Sequence, residues 1–216
     1  MTAEHPLARL ARIWRYPVKS LAATALERVC IGADGLEGDR RSALFVASKE
    51  HRRSGKTFRG KEHNLLHTLC APADAIALGA TGGIELRERG DGPFFDAGSV
   101  SILFDRWLEE LEGIVGMKLD PLRFRPNLFA RTKDATIPPE REFIGTLFHI
   151  GDVVLRAAAP IERCVTPTYD VATGEPEPEV LRAVTREREN VMGVYCTVER
   201  AGEVALDDAI VADLKS

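Results

Sequence analysis

The feature that most constrains this chain's fold is a series of short apolar runs separated by glycine and by turn-forming residues. The runs are Val29–Ile31, Leu44–Ala47, Ile84–Leu86, Val153–Leu155, Val191–Val198 and Glu203–Leu206. Runs of this length are typical of strands, and Gly90–Pro93 and Ala201–Gly202 have the composition of turns. Many short strands with few helices predict a mainly β protein, either a barrel or a sandwich.

Two segments interrupt this β pattern with helical periodicity. The first is Asp105–Val115, in which Asp105 is expected to cap the helix and the apolar residues share one stripe. The second runs from about Glu179 to Glu189 and has a charged outer face. The weakest join lies near Gly90–Pro93, which predicts an N-terminal β-rich part at residues 1–92 and a core domain at 93–216.

Composition argues against several classes of protein. The 216 residues carry a formal net charge of −4, which does not favour a broad basic face for nucleic acid. No apolar run is long enough to span a bilayer. Leu7–Trp14 contains two arginines and reads as a first strand rather than a signal peptide, so we expect a cytoplasmic protein.

Cys164 is the candidate reactive cysteine. The four cysteines, Cys30, Cys70, Cys164 and Cys196, form no CxxC pair, so neither a structural zinc site nor an iron–sulfur cluster is expected. Cys164 follows a strand-like run, and the guanidinium of the adjacent Arg163 favours a thiolate, the form that ligates soft metals or carries sulfur. The alternative is a small buried hydrophobe, which is how we interpret Cys196.

Three basic motifs suit an anionic ligand. Lys19–Ser20 places a cation beside a hydroxyl, as a phosphate requires, although a surface turn has the same composition. Gly38-Asp39-Arg40 presents either a local salt bridge or a binding pair. In Arg123–Asn127, an extended backbone projects both arginines to one side, where an anion or carboxylates such as Glu140 or Glu142 would lie between them.

Taken in order, these motifs resemble the MOSC family, named for the C-terminal domain of molybdenum cofactor sulfurases. The resemblance covers about Leu10 to Val211, and the family includes the mitochondrial amidoxime-reducing component and bacterial relatives that reduce N-hydroxylated bases. It implies a β-barrel-rich fold, with the N-terminal β-rich part packed on the MOSC core. It also implies a molybdenum–pterin cofactor (molybdopterin) held between the two parts.

The resemblance also implies roles for individual residues. Cys164 would be the thiolate ligand of molybdenum, and Arg163 would lie behind it. The pterin and its phosphate would be held by Lys19, Ser20, Arg40, Arg125 and Asn127. We add Asp170 as a proton relay. Relatives have a hydroxyl-containing turn where this chain has Phe104-Asp105, and a carboxylate there would repel a phosphate. No pyridoxal phosphate is expected, since the aminotransferase-like part of full sulfurases has no counterpart in this short chain.

The leading hypothesis is therefore a molybdenum-dependent oxidoreductase that reduces N- or S-oxygenated small molecules by oxygen-atom transfer. The chain has neither a cluster-binding cysteine set nor a glycine-rich dinucleotide motif, so a separate reductase or ferredoxin-like donor is expected. The basic segment 49–61 is a candidate docking face for that donor, or a solvated loop. The alternative is a sulfur or cofactor carrier that uses Cys164 without turnover. A cysteine hydrolase is disfavoured because no histidine lies in a recognisable partner motif.

Overall fold

The computed structural model describes residues 6–50, 55–57, 84–90, 92–95 and 97–213. The strands are β1 (Ala8–Arg15), β2 (Thr24–Leu26), β3 (Arg28–Gly32), β4 (Gly35–Leu36), β5 (Ser42–Val46), β6 (Ile84–Glu88), β7 (Val100–Phe104), β8 (Leu128–Thr132), β9 (Leu147–Ile150), β10 (Val153–Glu162), β11 (Val191–Arg200), β12 (Gly202–Ala205) and β13 (Ala209–Ala212). The α-helices are α1 (Asp105–Val115) and α2 (Pro178–Glu187).

Seven strands close into a barrel. Their order is β13, β9, β10, β11, β7, β8 and β1, and β1 pairs again with β13 to complete the ring. The pair β7–β8 is parallel and the other barrel pairs are antiparallel. Closure leaves no sheet edge unpaired in the ring, because every barrel strand has two neighbours. The prediction of a mainly β, barrel-rich protein is confirmed.

The first strand belongs to this barrel. In β1, Ala8 is in register with Ile210 of β13, and Ile13 is in register with Leu128 of β8. Strands β3, β4 and β12 form a separate three-stranded sheet, while β5 and β6 form a two-stranded one. The division at residues 92 and 93 stays a prediction, and the N-terminal part contributes β1 to the ring.

Aromatic packing joins α1 to the barrel. All five residues of β7 are buried, and the Phe104 ring lies 5.0 Å from Trp107 edge-on and 5.7 Å from Phe143 in a stacked arrangement. Such ring pairs contribute about 0.5–1.5 kcal/mol each beyond their buried area. The same packing buries the end of β7 in the hydrophobic core.

The bounds of α1 match the prediction, but its capping residue does not. Phe104 occupies the N-cap position without a side-chain cap, because β7 passes directly into the helix. Asp105 accepts hydrogen bonds from the Thr132 backbone NH (2.9 Å) and hydroxyl (2.7 Å) instead. Its carboxylate therefore ties α1 to β8.

The second helix begins with a proline in its first turn, a position where the missing NH costs no hydrogen bond. Val180, Ala183 and Val184 are buried, whereas Leu181 is partly exposed and faces a groove described below. Neither helix of the described part is long and apolar enough to cross a membrane.

Candidate functional site

Cys164 lies on an exposed loop that begins where β10 ends. Its Sγ lies 3.2 Å from the Thr166 hydroxyl, and Thr166 opens a single 3₁₀ turn through Thr168. The residue is exposed, whereas Cys196 on β11 is fully buried, where desolvation raises the pKa of its thiol. The loop therefore presents one accessible thiol beside a hydroxyl, as a ligand or a sulfur carrier requires.

Arg163 anchors this loop to two distant segments. Its guanidinium donates to the Met192 carbonyl (2.8 Å, from Nε) and to the Phe124 carbonyl (2.8 Å). Burial lowers its pKa to about 10, although nearby groups including Cys164 oppose the shift, so Arg163 stays charged at neutral pH. Its guanidinium donates to backbone carbonyls, so Arg163 is a partly buried support for the loop that carries the thiol.

Arg123 holds the other side of the loop. Its guanidinium donates to Asp170 and Glu177 (both 2.6 Å) and lies within 3.5 Å of the Pro167 and Thr168 carbonyls. The side chain is 1% exposed. Carboxylates from the loop thus pair with this arginine, which is one of the two interpretations open from the sequence, although its buried Nε has no hydrogen-bond partner among the described residues. Glu140, the carboxylate suggested there, instead pairs with Arg188 at 2.8 Å.

Asp170 is fixed by hydrogen bonds on both oxygens. One oxygen accepts from the Ala172 and Thr173 backbone NH groups and the Thr173 hydroxyl, and the other accepts from Arg123. Burial acts to raise its pKa, but the Thr173 and Ala172 hydrogen bonds outweigh it, so the pKa lies below its usual value. A carboxylate held ionised in this way is poorly suited to relay protons, and the role predicted for Asp170 stays a hypothesis without support from its contacts.

A second cluster, which we name the Tyr16 crevice, consists of Tyr16, Asp39, Arg40 and Arg125. The guanidinium carbon of Arg125 lies 4.2 Å from the centre of the Tyr16 ring, and that of Arg40 lies 4.8 Å from it. Cation–π contacts of this kind contribute about 0.5–2 kcal/mol, depending on solvent access. The buried ring therefore positions two guanidiniums without neutralising them.

The charge of the crevice is predominantly positive. Asp39 is buried and accepts from the Tyr16 backbone NH (2.7 Å) and from the Arg40 side chain. Burial raises the pKa of Tyr16 to about 12, with Arg125 and Arg40 acting in the opposite direction. Arg163 also contributes to the field at Tyr16, which links the crevice electrostatically to the Cys164 loop.

Asn127 has a structural position beneath the crevice. Its side-chain amide donates to Asp39 (3.2 Å) and to the Trp14 carbonyl (3.3 Å), and its side-chain oxygen accepts from the Ser101 hydroxyl (3.0 Å). The residue is 1% exposed. Its polar atoms join β1, β7 and β8, so Asn127 would support a ligand through Asp39 rather than by contact.

The Lys19–Ser20 turn lies beside Arg125. The Lys19 backbone NH donates to the Ser42 carbonyl (2.8 Å), and the Leu21 carbonyl accepts from the Arg125 guanidinium (2.8 Å). Both turn residues are partly exposed. The structure therefore brings Lys19, Ser20, Arg40 and Arg125 into one neighbourhood, as the resemblance implies.

Backbone strain is concentrated at this neighbourhood. Ser20 (φ 68°), Arg40 (φ 49°) and Arg125 (φ 50°) are left-handed, and they make up half of the non-glycine residues with positive φ in the described part of the chain. Left-handed conformations cost a non-glycine residue roughly 1–2 kcal/mol. Strain of this kind is often found at binding sites, where the surrounding structure holds it.

Sequence reasoning missed two contributors to the site. Tyr16, which the sequence does not single out as a site residue, is the platform for both arginines. Thr166 is the hydroxyl nearest the thiol, and its position two residues after Cys164 was a usable signal. The segment from Arg123 to Arg125 was expected to be extended, whereas Pro121–Phe124 is a 3₁₀ helix and Arg125 is its left-handed cap. The two guanidiniums consequently face different partners.

The described residues contain no group of three His, Cys, Asp or Glu side chains that could hold a metal ion. Most of the basic segment 49–61 lies outside the described residues. Beside the Cys164 loop is an open groove of about 500 Å³, formed with α2.

Comparison with known proteins identifies the fold. The family model of the MOSC domain matches residues 98–211. The structure resembles the YuaD protein of Bacillus subtilis, with a TM-score of 0.61 at 16% identity over 97% of each chain. YiiM from Escherichia coli has a TM-score of 0.46 at 12% identity, covering 94% of this chain and 71% of that one. No curated protein matches this chain.

Proposed function

Because this chain belongs to the MOSC domain family, we propose that it binds a molybdenum–pterin cofactor and reduces N- or S-oxygenated small molecules by oxygen-atom transfer. The observation that carries this proposal is the exposed Cys164 thiol on a loop that Arg163 ties to the Phe124 turn, next to the positive Tyr16 crevice. A thiol and an anion-binding surface are the two protein groups that such a cofactor requires.

The residues present fit a metal that arrives with its own sulfur ligands. Since the described residues offer no three-ligand cluster, a metal here depends on a cofactor for most of its coordination. A single exposed thiolate from Cys164 then suffices as the protein ligand. The Thr166 hydroxyl, 3.2 Å from Sγ, supplies a hydrogen bond that orients the sulfur.

The Tyr16 crevice fits the anionic end of the cofactor. The flat faces of the Arg40 and Arg125 guanidiniums lie over the Tyr16 ring. The NH groups at the edge of a guanidinium are suited to hydrogen-bond phosphate oxygens. Lys19 and Ser20 add a cation and a hydroxyl on the adjoining turn. The carboxylate that seemed unfavourable in the sequence, Asp105, keeps its charge, but its hydrogen bonds with Thr132 direct it towards β8.

When bound, the cofactor would accept an oxygen atom and supply two-electron redox chemistry. The protein's contribution is to hold Cys164 in place, to neutralise phosphate charge and to admit substrate beside the thiol. Release of the transferred oxygen as water would require two electrons and two protons from outside the protein. A separate electron-donor protein provides the electrons in this proposal, and the basic segment 49–61 is proposed as its docking face.

A sulfur- or cofactor-carrier function is the second candidate. The exposure of Cys164 favours it equally, because an accessible thiol can hold a persulfide for transfer. In that case the crevice would hold the cofactor until it passes to another protein, and no small-molecule reduction would occur.

Cofactor content and turnover separate these functions. The protein is purified from a host that makes the cofactor, and molybdenum and oxidised-pterin fluorescence are measured for wild type, Cys164→Ala and Cys30→Ala. Cys30 is a matched control, since it is also exposed but lies on β3. We expect stoichiometric molybdenum in wild type and Cys30→Ala, little in Cys164→Ala, and reduction of an amidoxime with a chemical electron donor. Metal-free wild type carrying a labile persulfide on Cys164 would favour the carrier.

A further inference from the structure

The groove beside the Cys164 loop has a definite composition. It lies between that loop and α2, with a volume of about 500 Å³, in the range of small-molecule sites. Its lining residues are Val165, Thr168, Tyr169, Pro176, Pro178, Leu181, Arg182, Thr185 and Arg186. Val165 directly follows Cys164, so the groove begins one residue from the thiol.

Apolar side chains form most of its surface. Val165, Leu181 and two prolines offer aliphatic contact, and Tyr169 adds an aromatic ring. Leu181 is only partly covered by protein, although it lies on a helix whose inner face is otherwise fully packed. A flat ring placed against these residues would bury apolar area on both partners.

The charged side chains that line the groove are positive. Its charged lining residues are Arg182 and Arg186, one helical turn apart on α2. Arg182 pairs with Glu179, whereas Arg186 forms no ion pair with any described residue. Glu177 lies between the two lining prolines, but its carboxylate is bound to the buried Arg123. The charge left available for a ligand is therefore the Arg186 guanidinium.

We propose that this groove is the substrate cleft of the Cys164 site and selects flat aromatic compounds that carry a carboxylate. The ring lies against Val165, Leu181 and Tyr169, and the carboxylate meets Arg186. The reaction that follows rests on the proposed function, whereas binding depends on the groove alone.

Two probes that differ by one carboxylate test this cleft. Benzamidoxime and 4-carboxybenzamidoxime are titrated into the cofactor-loaded protein by calorimetry. We expect the carboxylated probe to bind about fivefold more tightly, as one partly exposed ion pair allows. Arg186→Glu reverses this preference, because the new carboxylate repels that of the probe. Leu181→Trp, which fills the groove, weakens both probes at least about tenfold. Arg12→Glu, an equal charge change at an exposed position on β1, leaves both affinities unchanged.

Unchanged binding of both probes in Arg186→Glu and Leu181→Trp would overturn the cleft, and so would equal affinity of wild type for the two probes. Circular dichroism of each variant confirms that the fold is intact. Molybdenum content is measured on the same samples. Wild type without molybdenum that still shows the carboxylate preference would count against the proposed reaction and in favour of the cleft. Wild type that contains full molybdenum but binds the two probes equally would count against the cleft and in favour of the proposed reaction.

Discussion

The arginines of this protein occupy two contrasting environments within one neighbourhood. Arg123, under the Cys164 loop, is buried and bound by two carboxylates, Asp170 and Glu177. Arg40 and Arg125, in the Tyr16 crevice, lie over an aromatic ring with the buried Asp39 beneath them. In the first environment two carboxylates surround one guanidinium, whereas in the second two guanidiniums share one aromatic ring and Arg40 also pairs with Asp39.

This difference shows how to interpret arginine-rich motifs. Arg123 and Arg125 are two residues apart and have the same chemistry, yet Arg123 organises a loop, whereas Arg125 lies over the Tyr16 ring and donates to the Leu21 carbonyl. Charge balance around each guanidinium, rather than its presence in a motif, separates the two functions. This distinction is tested by mutations, which should affect mainly stability at Arg123 and ligand retention in the Tyr16 crevice.

The largest effect is expected from Arg123→Met. Removing the guanidinium leaves two neighbouring carboxylates without a counter-charge, which lowers the free energy of unfolding by about 3 kcal/mol. Urea denaturation measures the loss. Arg141→Met is the control, because its pair with Glu189 is exposed and contributes under about 1 kcal/mol. A loss for Arg123→Met no greater than the control's would remove the distinction between the two environments.

Arg125→Gln should have the reverse profile, and Arg40→Gln should combine both effects. Each loses a cation–π contact, which lowers the free energy of unfolding by about 1 kcal/mol, and Arg40→Gln loses more because it also leaves the buried Asp39 without its ion-pair partner. Each also loses a charge for the cofactor phosphate, so pterin retained through purification falls about tenfold. Pterin fluorescence of the denatured protein measures the second effect. Full retention in both variants would show that the crevice does not bind the cofactor.

Tyr16→Phe probes the platform of the crevice. It removes the hydrogen bond from the Tyr16 hydroxyl to the Pro126 carbonyl (3.0 Å), which contributes about 1 kcal/mol at neutral pH. Burial raises the pKa of folded Tyr16 to about 12, so the unfolded chain loses this proton first as pH rises. Wild type should lose stability between about pH 10 and 12, and Tyr16→Phe should lose less. Parallel curves for the two proteins would contradict the buried platform.

The smallest effect concerns Asp170 at acid pH. Its folded pKa is below the ordinary value, so its ionised form stabilises the fold above that ordinary value and the contribution disappears as pH falls through the folded pKa. The difference in unfolding free energy between wild type and Asp170→Asn should have its maximum value at neutral pH and should decrease as the pH falls. A difference that is independent of pH would argue against the Arg123–Asp170 pair.

Much of the fold was predictable because its signals are local. Helix α1 has the predicted bounds Asp105–Val115, and the short apolar runs became strands. Asp105 was wrong as a cap because its partner, Thr132, comes from β8, 27 residues along the chain. The extended geometry expected for Arg123–Asn127 was also wrong, since a capped 3₁₀ turn occupies that segment.

The sequence by itself determined the mainly β architecture, the candidate thiol and the supply of basic residues, because periodicity, turn chemistry and composition act over a few residues, whereas the exposure of that thiol was decided by the structure. Tertiary structure alone decided which arginine is neutralised. Arg123 meets Glu177 across 54 positions in the sequence. Tyr16, which follows β1, supports Arg125, which precedes the paired strand β8. Coulomb and cation–π energies depend on distance in space, and those distances exist only after β1, β7 and β8 have assembled.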